Sequence, residues 1–268
     1  MTPRVMGIVN VTPDSFSDGG QLVDADAAIA HGLRLVADGV DILDIGGEST
    51  RPGAEPVPTA DEIARVLPVI GGLRAAWAGP ISIDTMKPEV ARAAVAAGAT
   101  MWNDVTALTH APDSAETAAQ LGCDLVLMHM RGEPRTMQAD PRYGDVVGEV
   151  TAWLAARAAA AMAAGVAREQ IWLDPGIGFG KTAAHNLALT VHLDRLAATG
   201  FPVLYGASRK RTIQAIDPSA EDPGDRLGGS LALALAATRN GASIIRVHDV
   251  RETVQALKLQ SALLAAGG

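Results

Sequence analysis

The sequence predicts an α/β fold, a single-domain (β/α)8 TIM barrel over residues 1–268, and three observations predict it. Eight short apolar runs recur along the chain, too uniformly apolar for one-sided sheets and suited to parallel strands buried on both faces. A helical stretch follows every run. No linker of foreign composition interrupts the alternation, and 268 residues suit a barrel of roughly 250.

The first run, residues 5–9, leads through a polar loop, 10–20, into a helix over 24–38 that stops at Gly39. Run 42–45 is followed by loop 46–58 and a helix over 59–77, whose Thr59-x-x-Glu62 has the capping-box pattern. Run 81–84 precedes a helix over 89–97 ending at Gly98, and run 100–103 precedes one over 114–121 ending at Gly122. Run 125–128 leads through loop 129–143 to a helix over 146–164 ending at Gly165. Run 171–174 precedes a helix over 183–199 ending at Gly200, run 203–205 one over 225–240 ending at Gly241, and run 244–247 the closing helix over 251–266. Glycine just past a last helical turn takes the left-handed conformation without a Cβ penalty, so it is the expected C-cap. The three long loops all run from strand to helix, which in a barrel places them on the catalytic face. A doubly wound open sheet is the alternative. It would carry a glycine-rich dinucleotide turn after the first strand, where this chain has Asn10-Val-Thr-Pro-Asp-Ser-Phe-Ser-Asp-Gly-Gly20.

Composition narrows the function. Hydrophobic residues are 48% and aromatics only 3%, so a large core is built from Ala, Val, Leu and Ile. The formal net charge of −8 disfavours a nucleic-acid partner. No uninterrupted apolar stretch approaches the ~18–20 residues of a membrane span, and the N-terminus lacks the pattern of a secretion signal, so a cytoplasmic protein without a membrane partner is expected. The single cysteine, Cys123, permits no intramolecular disulfide and is read as a buried small residue.

Polar groups end the apolar runs: Asn10, Asp84, Asn103, Asp174 and Arg246. Buried carboxylates need donors, and a whole set of strand-end polar groups converging on one barrel mouth reads as a site. Cations cluster beside them: Arg51, Lys181, the run Ser208-Arg-Lys-Arg211, and Arg246-Val-His248. In an acidic chain this predicts an anion site, and loops after strands seven and eight are a common phosphate position in barrels. The six histidines show no metal-ligand spacing. Any metal is expected to be Mg2+, held by Asn or Asp oxygens and by the substrate's own phosphates. The G-x-G-x-G of Gly176, Gly178 and Gly180 lacks dinucleotide spacing.

Two of these loops, Asn10 to Gly20 and Gly46-Gly-Glu-Ser-Thr-Arg-Pro-Gly53, resemble the signature loops of the dihydropteroate synthases. Ser82-Ile-Asp-Thr85, Asn103-Asp104, Leu127-Met-His-Met130, Asp174-Pro-Gly-Ile-Gly-Phe-Gly-Lys181, Gly206-Ala-Ser-Arg-Lys210 and Arg246-Val-His-Asp249 match further motifs in the same order, from Val5 to the last helix.

The resemblance implies a transferase of folate biosynthesis. It would join 6-hydroxymethyl-7,8-dihydropterin diphosphate to p-aminobenzoate, release pyrophosphate, use Mg2+, be a sulfonamide target and form a homodimer. By resemblance, Asp84, Asn103, Met128, Asp174 and Lys210 bind the pterin. Asn10, Thr50, Arg51, Arg246 and His248 bind the pyrophosphate, with Asn10 also on the metal. Phe16, Asp18, Pro52, Phe179, Ser208 and Lys210 form the p-aminobenzoate site. Asp84, Lys210, Arg246 and His248 are the implied catalytic groups. One departure is visible: Thr212 and Gln214 stand where the family commonly has a bulky apolar residue and a glycine, which puts the packing of the following helix in question. A pterin-binding methyltransferase barrel would share the Asp and Asn contacts but has no need of the Thr50-Arg51 loop or of Arg246-Val-His248. A non-catalytic pterin-binding paralogue would usually have lost residues of the loops or the anion site.

Overall fold

The structure, a computed structural model, describes residues 2–11, 21–49, 54–132 and 136–267, and for residues 21–24 the backbone alone. Eight strands close into one parallel barrel in sequence order: β1 (Arg4–Asn10), β2 (Ile42–Gly46), β3 (Ile81–Asp84), β4 (Met101–Asp104), β5 (Asp124–Met128), β6 (Ile171–Asp174), β7 (Val203–Tyr205) and β8 (Ala242–Val247). β8 returns to pair with β1, so no sheet edge is left.

The side-chain period of two decides what the barrel encloses. On β2, Ile42 and Asp44 share one face, and Leu43 and Ile45 the other. Met6, Ile42, Met101, Val126, Leu204 and Ile244 form a separate buried cluster that fills the barrel. Two residues further along several strands, the same inward face carries Asp44, Asn103, Met128 and Arg246, level with Asp84 and Asp174 through the register pairs Asp84↔Asn103 and Met128↔Asp174. An apolar floor therefore lies under a polar layer at the C-terminal ends of the strands. Outward residues such as Leu43, Ile45, Ile83, Trp102 and Leu127 belong to the larger core between strands and helices.

The outer layer holds α1 (Gln21–Ala37), α2 (Thr59–Ala76), α3 (Pro88–Ala96), α4 (Ser114–Leu121), α5 (Val146–Ala163), α6 (Ala183–Val191), α7 (Leu193–Ala197), α8 (Arg211–Ile216), α9 (Leu227–Arg239) and α10 (Val250–Ala266). Gly39, Gly98, Gly122, Gly165, Gly200 and Gly241 all have positive φ, as expected of C-caps. The three long loops begin at the C-terminal ends of β1, β2 and β5. By length and a mean hydropathy of 1.3, α5 resembles a membrane span. Its Val146, Val150, Leu154, Ala158 and Ala161 are buried within the barrel's outer ring, however.

Three expectations fail in detail. The helix expected over 183–199 breaks at His192 into α6 and α7. Leu189, Leu193 and Leu196 are buried on both sides of the break, so the apolar spacing carries no mark of it. α8 was not expected, and the helix foreseen over 225–240 starts at Leu227 after a 3-10 turn, Pro223–Arg226. The capping box at Thr59 is absent: Pro58 is the N-cap, without a side-chain hydrogen bond. The carboxylate of Glu62 turns instead into a buried ion pair with Lys87 at 2.6 Å.

Candidate active site

A cleft opens above the apolar floor, lined by Asp84, Asn103, Val105, Met128, Asp174, Phe179, Gly206, Lys210 and Arg246. All five residues expected to bind the pterin are among these. They come from β3, β4, β5, β6 and the segment after β7, so no local stretch of sequence contains the site.

On one side the cavity is organised by Arg246. Its Nε donates to Asp44 Oδ2 and its Nη2 to Asp84 Oδ2, both at 2.6 Å. Asn103 Nδ2 donates to the same Asp44 oxygen at 3.3 Å. Asp44 is fully buried. Burial opposes the charge of Arg246, but the two aspartates outweigh it and hold the guanidinium above its ordinary range. Burial pushes Asp84 up and Arg246 pulls it down, with Asp44, Glu62 and Asp104 adding repulsion. Asp44 was missed in the sequence because it sits inside its run, as Arg246 does, but has no neighbouring cations to mark it. The inward parity it shares with Ile42 is the signal that marks it.

The opposite side is built by the segment after β6. Asp174 Oδ1 accepts from Gly176 N at 2.7 Å. Burial raises the Asp174 pKa, while Lys210 and the Gly176 N–H oppose this. Gly176 has φ +67, and a Cβ there would lie 1.9 Å from the carbonyl oxygen of His129, so the chains touch backbone to backbone. Lys210 Nζ donates to Ile177 O and lies 4.6 Å from the centre of the Phe179 ring, a cation–π contact. Burial lowers the Lys210 pKa to about 8, against the pull of Asp174.

The expected cation cluster divides into separate roles. Lys181 is buried and turned away from the mouth. Its Nζ donates to the carbonyl oxygens of Gly176 and Phe179 at 3.0 Å and of His129 at 3.2 Å, and meets His129 Nδ1 at 2.9 Å. Burial lowers the pKa of Lys181 to about 7 and of His129 to about 3, so this imidazole stays neutral. Arg209 has φ +59 and pairs with Asp249 through two hydrogen bonds. Arg211 is exposed at the start of α8. Of this run, Lys210 alone lines the cavity. Reading the whole cluster as one anion site is therefore corrected: Lys181, Arg209 and Arg246 are each engaged by protein groups, and among the cluster's described cations only Arg246 and Lys210 line the cavity.

Ser208 Oγ lies 3.1 Å from His248 Nδ1 and accepts from His248 N at 3.2 Å, so these two expected residues meet at the ends of β7 and β8. Asn10 is half-buried at the end of β1, and its Oδ1 lies beside Gly46. Among the described residues no group of three or more His, Cys, Asp or Glu gathers to hold a metal. Phe16, Asp18, Thr50, Arg51 and Pro52 lie outside the described residues. The departures at Thr212 and Gln214 pack well. Thr212 Oγ1 accepts from Asn186 Nδ2 at 2.8 Å, and Gln214 Oε1 accepts from Arg226 Nη2 at 3.1 Å.

The chain matches the family described as "Pterin binding enzyme" over residues 6–248. It is 50% identical to the dihydropteroate synthase of Neisseria meningitidis serogroup B, covering 97% of this chain and 93% of that protein. A solved Xanthomonas albilineans dihydropteroate synthase with 4-aminobenzoic acid superposes with a TM-score of 0.93 at 53% identity, covering 98% of this chain and 93% of that one. The same enzyme in complex with 7,8-dihydropteroate gives 0.89 at 50% identity, covering 98% and 94%.

Proposed function

This chain belongs to the pterin binding enzyme family and, within it, to the dihydropteroate synthases, and from that premise we propose how its residues divide the reaction. It condenses 6-hydroxymethyl-7,8-dihydropterin diphosphate with p-aminobenzoate and releases pyrophosphate. The observation that carries the assignment of residues is the convergence of Asp84, Asn103, Met128, Asp174, Lys210 and Arg246 from distant parts of the chain around one cavity.

A pterin edge presents paired N–H donors, and a carboxylate can accept both. Asp174 takes that role, steadied by its bond from Gly176 N. Asn103, Asp84 and Lys210 meet the other polar edges of the ring, and Met128 packs on its face. The diphosphate points to the ends of β1 and β8, toward Asn10, Arg246 and His248, with Thr50 and Arg51 completing its site. Two donors of Arg246 are engaged by Asp44 and Asp84, and its remaining N–H groups serve substrate. The p-aminobenzoate lies against Phe179, Lys210 and Ser208, with Phe16, Asp18 and Pro52 as its other neighbours. The same site is proposed to admit sulfonamides that mimic p-aminobenzoate.

The bond between the pterin methylene and the diphosphate oxygen breaks, its electron pair leaving with pyrophosphate. The arylamine lone pair then forms the C–N bond, and the nitrogen releases its proton. Departure running ahead of attack places positive charge on the methylene and ring, which the Asp84 carboxylate faces, while Arg246 and His248 receive the growing negative charge. Asn10 fits a hard cation, since one amide oxygen together with phosphate oxygens suits Mg2+. Bound there, Mg2+ would neutralise the leaving pyrophosphate.

Release of pyrophosphate by purified protein should require the pterin diphosphate and Mg2+, and dihydropteroate should form on adding p-aminobenzoate. No product under those conditions would overturn the assignment. A homodimer is supported by apolar side chains exposed on α6 and α8 (Leu187, Val191, Ile216) and on α10 (Leu259, Leu263, Leu264); sedimentation as a monomer alone would overturn it. A cytoplasmic, reducing setting is supported by the lone Cys123, half-buried and unable to pair within the chain.

A further inference from the structure

We propose that Lys181 is a positioning residue for p-aminobenzoate: its buried ammonium acts as an internal cation around which residues 176–180 wrap, fixing the Phe179–Lys210 pair against which the arylamine lies. This rests on the p-aminobenzoate site proposed above.

Lys181 is 3% exposed. Among the described residues its hydrogen-bond partners are the carbonyls of Gly176, Phe179 and His129 and the Nδ1 of His129, none of them a carboxylate. For Nδ1 to accept from an ammonium, the imidazole proton must sit on Nε2. Two of the carbonyls belong to the segment that Lys181 itself ends, and the other two acceptors belong to the end of β5. The ammonium thus closes this segment on itself and ties it to the neighbouring strand. Gly176, Gly178 and Gly180 all have positive φ, a backbone that does not hold its shape through local sterics. Residues on the rim depend on that shape. Phe179 presents its ring to Lys210 at 4.6 Å. The Ile177 carbonyl, one residue past the Gly176 carbonyl that Lys181 holds, accepts from Lys210 Nζ. Asp174 belongs to β6, and its carbonyl accepts from His129 N at 3.0 Å; its carboxylate meets the Lys181 segment only through the bond from Gly176 N. Removing the ammonium should loosen the arylamine wall more than the pterin pocket.

The test is a double-mutant cycle on Lys181→Met and Phe179→Ala, reading KM for p-aminobenzoate, kcat, and calorimetric affinity for a bare pterin. Lys181→Met should raise KM for p-aminobenzoate about tenfold or more while pterin affinity changes by less than about threefold, because misplacing a binding wall acts on the substrate that touches it. The pair should be non-additive, Lys181→Met adding little once the ring is gone. Equal losses in KM, kcat and pterin affinity, or additive effects, would overturn the proposal in favour of general structural support. If Lys181→Met is insoluble, Lys181→Gln, which keeps an N–H2 donor without the charge, replaces it, and failure of both to fold also overturns the proposal. An unchanged KM in Phe179→Ala alone would fault the assigned p-aminobenzoate wall and not the role of Lys181.

Discussion

The two sides of the barrel mouth balance their buried charge by different means. On the β2–β3 side, Arg246 lies between Asp44 and Asp84, and past the ends of those strands Lys87 Nζ reaches Glu48 and Glu62, all four contacts at 2.6 Å. On the β5–β6 side, Lys181 is held by backbone carbonyls and a neutral histidine. Carboxylates keep their cations charged: Arg246 and Lys87 are both raised, despite burial, by the acids around them. Lys181 has no carboxylate among the direct partners described, and burial prevails over the more distant pull of Asp174, with Lys210 adding repulsion, so it falls to about 7. The first side is thus an ion-paired array facing the reacting centre, and the second a shaped wall whose cation serves geometry.

The comparison is tested most severely at Arg246. Arg246→Met strands two buried carboxylates, so stability should fall by about 3–5 kcal/mol in urea melts, unless Asp84 takes up a proton. Turnover should fall by roughly 10³ or more, and Arg246→Lys should not restore it, since a point charge cannot bridge both acids. A stable, active Arg246→Met protein would remove the distinction between the two sides.

Asp174 stands on the second side but meets substrate. Asp174→Asn should weaken bare pterin binding by about 2–5 kcal/mol with the fold intact, because an amide N–H2 then faces a pterin N–H. Calorimetry on the folded variant decides it, and unchanged affinity would reduce Asp174 to a structural acid.

The neutral histidine predicts a pH signature. Burial holds the His129 pKa at about 3 in the folded protein against 6.5 for an ordinary imidazole, so the unfolded chain binds the extra proton between those values. Its contribution to stability is complete above pH 6.5 and is lost as pH falls toward 3, with a slope up to about 1.4 kcal/mol per pH unit. Urea melts of wild type and His129→Gln between pH 4 and 7 should therefore differ in slope. Parallel curves would mean that His129 is not held neutral.

The smallest contrast lies at two helix starts. Thr182 Oγ1 accepts from His185 N, and His185 Nδ1 from Thr182 N, each at 3.2 Å, whereas Thr59 caps nothing. Thr182→Ala should cost about 1 kcal/mol and Thr59→Ala under about 0.5. Equal losses would show that Thr59 caps α2 after all.

The sequence by itself determined the barrel, because eight buried strands and eight glycine-closed helical stretches are local, periodic properties of the chain. It also marked Asp84, Asn103 and Asp174, because a polar residue ending an apolar run is visible in one dimension, and Arg246, because it stands beside other cations. It placed Lys210 correctly within Ser208-Arg-Lys-Arg211 only by resemblance, since nothing local separates that lysine from Arg209. Which cation faces the cavity was decided by tertiary structure: Asp249 engages Arg209, and three carbonyls with His129 enclose Lys181. Asp44 became a site residue only when β2, β4 and β8 brought it beside Asn103 and Arg246. Thr59 and Glu62 read as a cap until Lys87, from beyond the next strand, claimed the glutamate. The physical reason is common to all three cases. Burial and ion pairing act across the barrel, between residues tens or hundreds of positions apart, and they outweigh local hydrogen bonds worth about a kilocalorie per mole.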